Sequence, residues 1–227
     1  MMSYITSKKP SISFKCFKIA GEKNLTEIFN KISQANCFNM ETYGNGFHDI
    51  KFDSENSIIR GCYSLFTCFE VEHLEDGRIT NTLFKKIESC EFIITDKVNL
   101  VFGKSKARKL ILFELGLALG KTVSTCGFSE ENLSNLQTAL TTTKSISIDN
   151  LSNDEVKKVK IDGKIEYYQG YNIINAQHDI QSVSGVLTTP VGDLKVTLNR
   201  RGNLKVAKKG KLYIHVNNIH YIFDKLN

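Results

Sequence analysis

The sequence predicts an α+β fold: a mixed, mainly antiparallel sheet packed on helices, followed by a small, basic, antiparallel β-rich domain. Three observations lead there. The stretch Cys90–Gly120 reads as strand, tight turn, strand, glycine and then a helix that is apolar around most of its circumference, so it is expected at the centre of the core. Helical and strand periodicities alternate before residue 150, with more hairpins than parallel crossovers. Near Asp149–Asp154 the chain turns polar, and strand signals dominate beyond it. The expected domains are residues 1–150 and 151–227.

Ile12, Phe14, Phe17 and Ile19 mark a first strand, which Gly21 ends. Leu25, Ile28, Phe29 and Ile32 then recur at helical spacing, with Asn24 placed as N-cap and Glu27 as its capping-box partner. The glycine-rich Thr42–Phe47 turn leads to a strand through Asp49–Phe52. Residues Ile58–Leu74 form a longer strand, apolar on both faces and therefore expected to be central. Glu75-Asp-Gly-Arg78 is a turn, and Leu83, Phe84 and Ile87 suggest a brief helix. The organising stretch follows, with strands at Phe92–Ile94 and Leu100–Phe102 and a helix from Ser105 on which Phe113 is expected to be buried. Ser129, with Glu130 and Glu131 behind it, opens another helix that buries Leu133, Leu136 and Leu140.

Beyond residue 150, short strands are expected at 164–168, 171–174, 180–183, 194–198, 204–206 and 212–216, with a helical turn through Ile219, Ile222, Phe223 and Leu226. Along the last meander Leu194, Val196, Leu198, Leu204, Val206, Leu212, Ile214 and Val216 face inward. Lys195, Lys205, Tyr213 and His215 are expected on a common outer face.

Charge sharpens this picture. The 227 residues carry a formal net charge of +6. Residues 185–227 hold eight Lys/Arg against Asp193 and Asp224, so the last fifth of the chain accounts for the whole excess. Such concentration favours a polyanionic partner over solubility alone. Lys195, Arg200, Arg201, Lys205, Lys208, Lys209 and Lys211 offer cations for phosphates, and Tyr213 and His215 offer rings for base stacking, so these nine residues form the candidate nucleic-acid surface.

Lys104, Ser105, Lys106 and Arg108 crowd the start of the Ser105 helix and are candidate phosphate contacts. Gly103-Lys-Ser resembles the end of a P-loop, but the position that requires the first glycine is Val98, so a Walker-type site is excluded. No catalytic serine elbow, metal-ligand motif or cofactor fingerprint is present, and no catalytic residue, metal ligand or cofactor is assigned. The six cysteines form no C-x-x-C pair and read as reduced core thiols. No apolar run is long enough to span a membrane, and the start of the chain lacks a signal-peptide core, so the expected compartment is the cytoplasm.

The function expected from these residues is non-catalytic, sequence-tolerant binding of DNA or RNA by an accessory or regulatory protein. Two other classes stand beside it. One is a metal-dependent phosphodiesterase built on His48, Asp49 and Asp53, or on Glu70, Glu72 and His73. The other is an interaction subunit whose basic face docks an acidic protein partner; a homo-oligomer is a further expected assembly.

Overall fold

The computed structural model describes residues 4–149, 158–163 and 180–226. The described residues are mostly β, 54% in strands against 22% in helices, which overturns the expected helix-packed α+β class. Every strand pairing with a given register is antiparallel. The strands expected at 164–168 and 171–174 lie outside the described residues, as does most of the polar segment at Asp149–Asp154.

The chain divides into two compact units that interleave along the sequence: 1–18, 97–100 and 124–227 in one, 19–96 and 101–123 in the other. In the second unit, the strand order is β3 (Gly46–Asp53), β4 (Ile58–Glu75), β5 (Arg78–Thr95) and β6 (Asn99–Gly103), with Asn99 and Leu100 at the start of β6 belonging to the first unit. Two helices, α1 (Leu25–Ser33) and α2 (Ser105–Leu119), belong to the same unit. Asn24 caps α1 by accepting from the Glu27 amide at 3.1 Å, while the Glu27 carboxylate turns to Lys31 at 2.7 Å instead of closing a capping box. Phe47 packs edge-on against Tyr63 and Phe92. Gly61 is required there, because a Cβ would lie 2.5 Å from the Phe92 ring.

Three expectations for this unit are corrected. Leu83, Phe84 and Ile87 belong to β5, not to a helix. Only the first part of β4 is central: from Phe69 to Glu75 the strand is exposed, and with Arg78–Ile87 it forms a two-stranded arm ending at the Glu75–Arg78 turn. On α2 the buried residues are Ala107, Ile111, Leu115 and Leu119, whereas Phe113 and Leu117 are each 63% exposed. A helix apolar on all sides does not reveal its buried stripe, and here the i, i+4 series beginning at Ala107 faces the sheet.

In the first unit, the sheet order is β2 (Ser11–Ile19), β12 (Asn203–Ala207), β11 (Gly192–Asn199), β10 (Ile180–Thr189), β8 (Thr142–Asp149) and β9 (Lys158–Asp162). β7 (Val123–Thr125) adds to β2. One face carries Ile12, Phe14, Ile146, Val183, Val196, Leu198, Leu204 and Val206, all buried. Helix α3 (Glu130–Ala139) packs on β10, and a capping box between Ser129 and Asn132 closes its start. Helix α4 (Val216–Asp224) supplies the terminal helix through Ile219 and Ile222, both buried.

One strand departs from the expected meander. β13 (Leu212–His215) leaves β12 and pairs with β1 (Tyr4–Ser7) in a separate two-stranded sheet, Tyr213 opposite Thr6 and His215 opposite Tyr4. Among the described residues, no helix is long and apolar enough to cross a membrane.

Candidate nucleic-acid interface

Strand alternation builds the polar face of the first unit's sheet. Ser13, Lys205, Thr197, Ser184, Ser145 and Asp162 stand opposite one another across six adjacent strands. One step along lie Lys15, Asn203, Asn199, Ser182, Ser147 and Lys160. The side chains between them point to the apolar face, so the sequence code here is simple alternation of Val, Leu or Ile with Ser, Thr, Asn or Lys. The hydroxyls of Ser184 and Thr197 share a hydrogen bond of 2.8 Å. Small hydroxyl side chains on the central strands leave room that flanking lysines border.

The result is a groove of about 580 Å³ with Lys144, Lys160, Lys195, Lys205 and Lys208 in its lining and Asp162 as the acid among them. Lys160 pairs with Asp162 at 2.9 Å, which leaves four lysines bordering the groove beyond that pair. Successive outward residues on a strand stand about 6.6–6.8 Å apart, so the lysines sample the floor in steps rather than as a single cluster.

A second cavity, about 830 Å³, lies in the same unit beside β1, β13 and α4. Tyr4 and Tyr213 stack at 4.3 Å between ring centroids, and His215 meets Tyr4 edge-on at 4.7 Å. Tyr221, His220, Asn217 and Lys97 contribute further to the lining, with Lys97 held to Asp224 at 3.0 Å. Tyr213 is 55% exposed. Lys208 lines both this cavity and the groove, so the two meet at one side chain.

The nine residues selected from sequence for this surface separate into four places. Lys195, Lys205 and Lys208 border the groove. Tyr213 and His215 do not share the outer face of Lys195 and Lys205, as expected from the meander; they belong to the aromatic cavity because β13 pairs with β1. Arg200 and Arg201 form the β11–β12 turn at the strand ends remote from Lys208, and the Arg201 carbonyl accepts from Lys15 Nζ. That turn needs Gly202: its φ is +76°, and a Cβ would fall 1.8 Å from the Cys126 carbonyl oxygen. Lys209 and Lys211 are exposed in the β12–β13 connection.

Lys104, Ser105, Lys106 and Arg108 lie in the other unit, at the start of α2. Lys104 is the N-cap and makes no capping bond through its side chain, and Ala107 is the buried residue of that turn. Sequence reasoning missed Lys144, Lys160, Ser145, Ser182 and Ser184 in the groove and Tyr4 in the cavity, and it read Thr197 as outward-facing without assigning it to the site. Alternation of Ser145 and Ser147 with Ile146 and Ile148 was the signal available on β8.

The acidic groups considered for a phosphodiesterase are dispersed. Asp53 accepts from the Asn56 amide and side chain at 3.1 and 2.9 Å, closing its own turn. Glu70 and Glu72 alternate with His73 along the exposed arm and so point to the opposite face from it. His48 and Asp49 stay together beside Cys62. No protein-family model matches this chain, and no curated protein matches it.

Proposed function

We propose that the protein binds single-stranded nucleic acid without sequence preference, as an accessory factor acting in the cytoplasm. The observation that carries this reading is the junction at Lys208, where a lysine-bordered groove meets a cavity walled by stacked tyrosines. Sequence-tolerant single-strand binding asks for those two parts: cations that track the phosphate backbone and ring faces on which any base can stack. The floor supports it as well, since Ser, Thr and Asn side chains offer hydrogen bonds to sugar and phosphate oxygens without reading base identity. The concentration of positive charge in the last fifth of the chain agrees with the same partner.

The test is a titration of dye-labelled oligo(dT) and oligo(U) followed by fluorescence anisotropy, for the parent and for a Lys195→Ala/Lys205→Ala variant. Both side chains are exposed, so the variant keeps the fold. The expected result is binding of both oligonucleotides by the parent and a parallel loss on both in the variant. Equal binding by parent and variant would place the interface elsewhere.

A further inference from the structure

On a regular strand, adjacent residues point to opposite faces. His48 and Asp49 do not. The β3–β4 ladder shifts register between His48 and Lys51, and Asp49 takes a left-handed φ of +52°. A non-glycine residue in that conformation is strained, and such bulges redirect side chains, often next to functional sites. Here the bulge swings the Asp49 carboxylate onto the side occupied by its neighbour, with His48 Nδ1 and Asp49 Oδ2 2.9 Å apart. Across the ladder Cys62 stands directly opposite His48. One atom each from His48, Asp49 and Cys62 lies within 4.8 Å of the other two.

Two chemistries are conceivable for this group. The hydrogen bonds run Asp49 to His48 Nδ1, then His48 Nε2 to Ser64 Oγ at 2.8 Å, which is the order of a hydrolytic triad. Ser64 is only 1% exposed, however, and its hydroxyl is shared with Ser89 at 2.6 Å, so it offers no surface to a substrate. The buried serine fits a different part. A metal-bound histidine fixes its ring by donating the other N–H to a neighbouring acceptor, and Ser64 Oγ is placed to be that acceptor.

We infer that His48 Nδ1, Asp49 and Cys62 form a zinc site, with the fourth position open to solvent. Imidazole, carboxylate and thiolate are the three donor types that zinc takes, at about 2.0–2.3 Å each, so ligand atoms of a tetrahedral site stand about 3.5 Å apart. His48 Nδ1 and Asp49 Oδ2 already stand 2.9 Å apart and all three donors lie within 4.8 Å, so side-chain shifts of about 1 Å reach that spacing, and Asp49, with its side chain 74% exposed, is free to move. A thiolate in the set favours zinc over magnesium or calcium. Three protein ligands and an open fourth position describe a site that binds water or a substrate atom rather than a closed structural site. Binding releases the Cys62 proton to solvent, so affinity rises with pH.

The test uses the full chain, purified with chelator and titrated with Co²⁺ and with Zn²⁺. Expected are one equivalent of metal per chain, a thiolate-to-cobalt charge-transfer band that zinc abolishes, and protection of Cys62 from alkylation by zinc. Cys62→Ser should remove the band, and Cys126→Ser should retain it. Asp49→Asn should weaken zinc binding, and Ser64→Ala should weaken it by about 10–100-fold through the loosened ring. Circular dichroism and melting of each apo variant separate lost ligands from lost fold. Absence of the band in the parent, or its survival in folded Cys62→Ser, overturns the assignment.

Discussion

The Cys126 amide, just past the end of β7, donates to the Cys16 carbonyl at 3.1 Å, which holds the two thiols close enough to hydrogen-bond to each other. The bond divides them. Cys16, donating to its neighbour and deeply buried, is pushed well above the ordinary thiol range. Cys126 is brought down to about 7, chiefly by that hydrogen bond, against the opposing effect of burial and with help from Lys18 and Lys15.

The thiolate of Cys126 therefore forms as pH rises through about 7, while Cys16 stays protonated. Iodoacetamide modification of Cys126, followed peptide by peptide in the native protein, should rise from pH 6 and level off by about pH 8. Cys90, which burial pushes up to about 12, should stay unmodified over that range. A Cys126 rate still climbing steeply at pH 9 would contradict the pairing.

On α2, two substitutions separate the buried stripe from the exposed one. Leu115→Ala should cost about 2–5 kcal/mol, since the side chain is fully buried. Phe113→Ala should change stability by no more than about 0.5 kcal/mol, because the ring is 63% exposed. Urea midpoints at constant slope measure both, and the reverse order would mean that the helix is rotated.

The arm of β4 and β5 should open locally. Beyond the Leu65–Glu88 pair it is held by its own ladder and the Phe69–Phe84 stack at 5.6 Å, and near its base by Phe66 against Phe38 and Tyr43, Lys85 over the Tyr43 ring and the Phe66 amide donating to Asn45. A two-stranded hairpin is marginal in water. Amides of residues 70–83 should exchange with deuterium much faster than those of 58–64 and 89–95, whose strands are flanked by β3 and β6. Uniform protection along both strands would show that the arm is covered in solution.

How much of this was legible depends on the range of the interaction. Caps and alternation are local, so Asn24, Ser129 and the β11–β12 hairpin were readable from a few residues each. So were Lys195 and Lys205 as outward side chains. The partner of β13 was not: Tyr213 alternates with Leu212 and Ile214 whether β13 pairs with β12 or with β1, and Tyr4 stands at the far end of the chain. Phe113 and Leu115 are both apolar, so the phase of α2 is set by the sheet beneath it. The Leu83–Ile87 run fits either period, and only its pairing with Phe66–Glu70 makes it a strand. His48 and Asp49 were readable as a candidate metal pair from their adjacency, but the bulge that brings them onto one side and the Cys62 opposite them were not.

Within the proposed interface, the ring and the charges should behave differently. Tyr213→Ala removes stacking and no charge, so binding to single strands should weaken by about 1–3 kcal/mol with the salt dependence intact. The readout is affinity at several salt concentrations. A changed slope with unchanged affinity would mean that Tyr213 positions a cation instead of stacking on a base.

The most direct measurement is the slope of log K against log salt for oligo(dT), compared between the parent and a Lys144→Ala/Lys195→Ala/Lys205→Ala/Lys208→Ala variant. Each phosphate neutralised on a single strand contributes about 0.7 to that slope through released counterions. The groove reading predicts a steep, linear dependence for the parent and a slope shallower by about 0.7 for each lysine that contacts phosphate. If the fourfold variant is folded and its slope and affinity match those of the parent, the groove is not where nucleic acid binds.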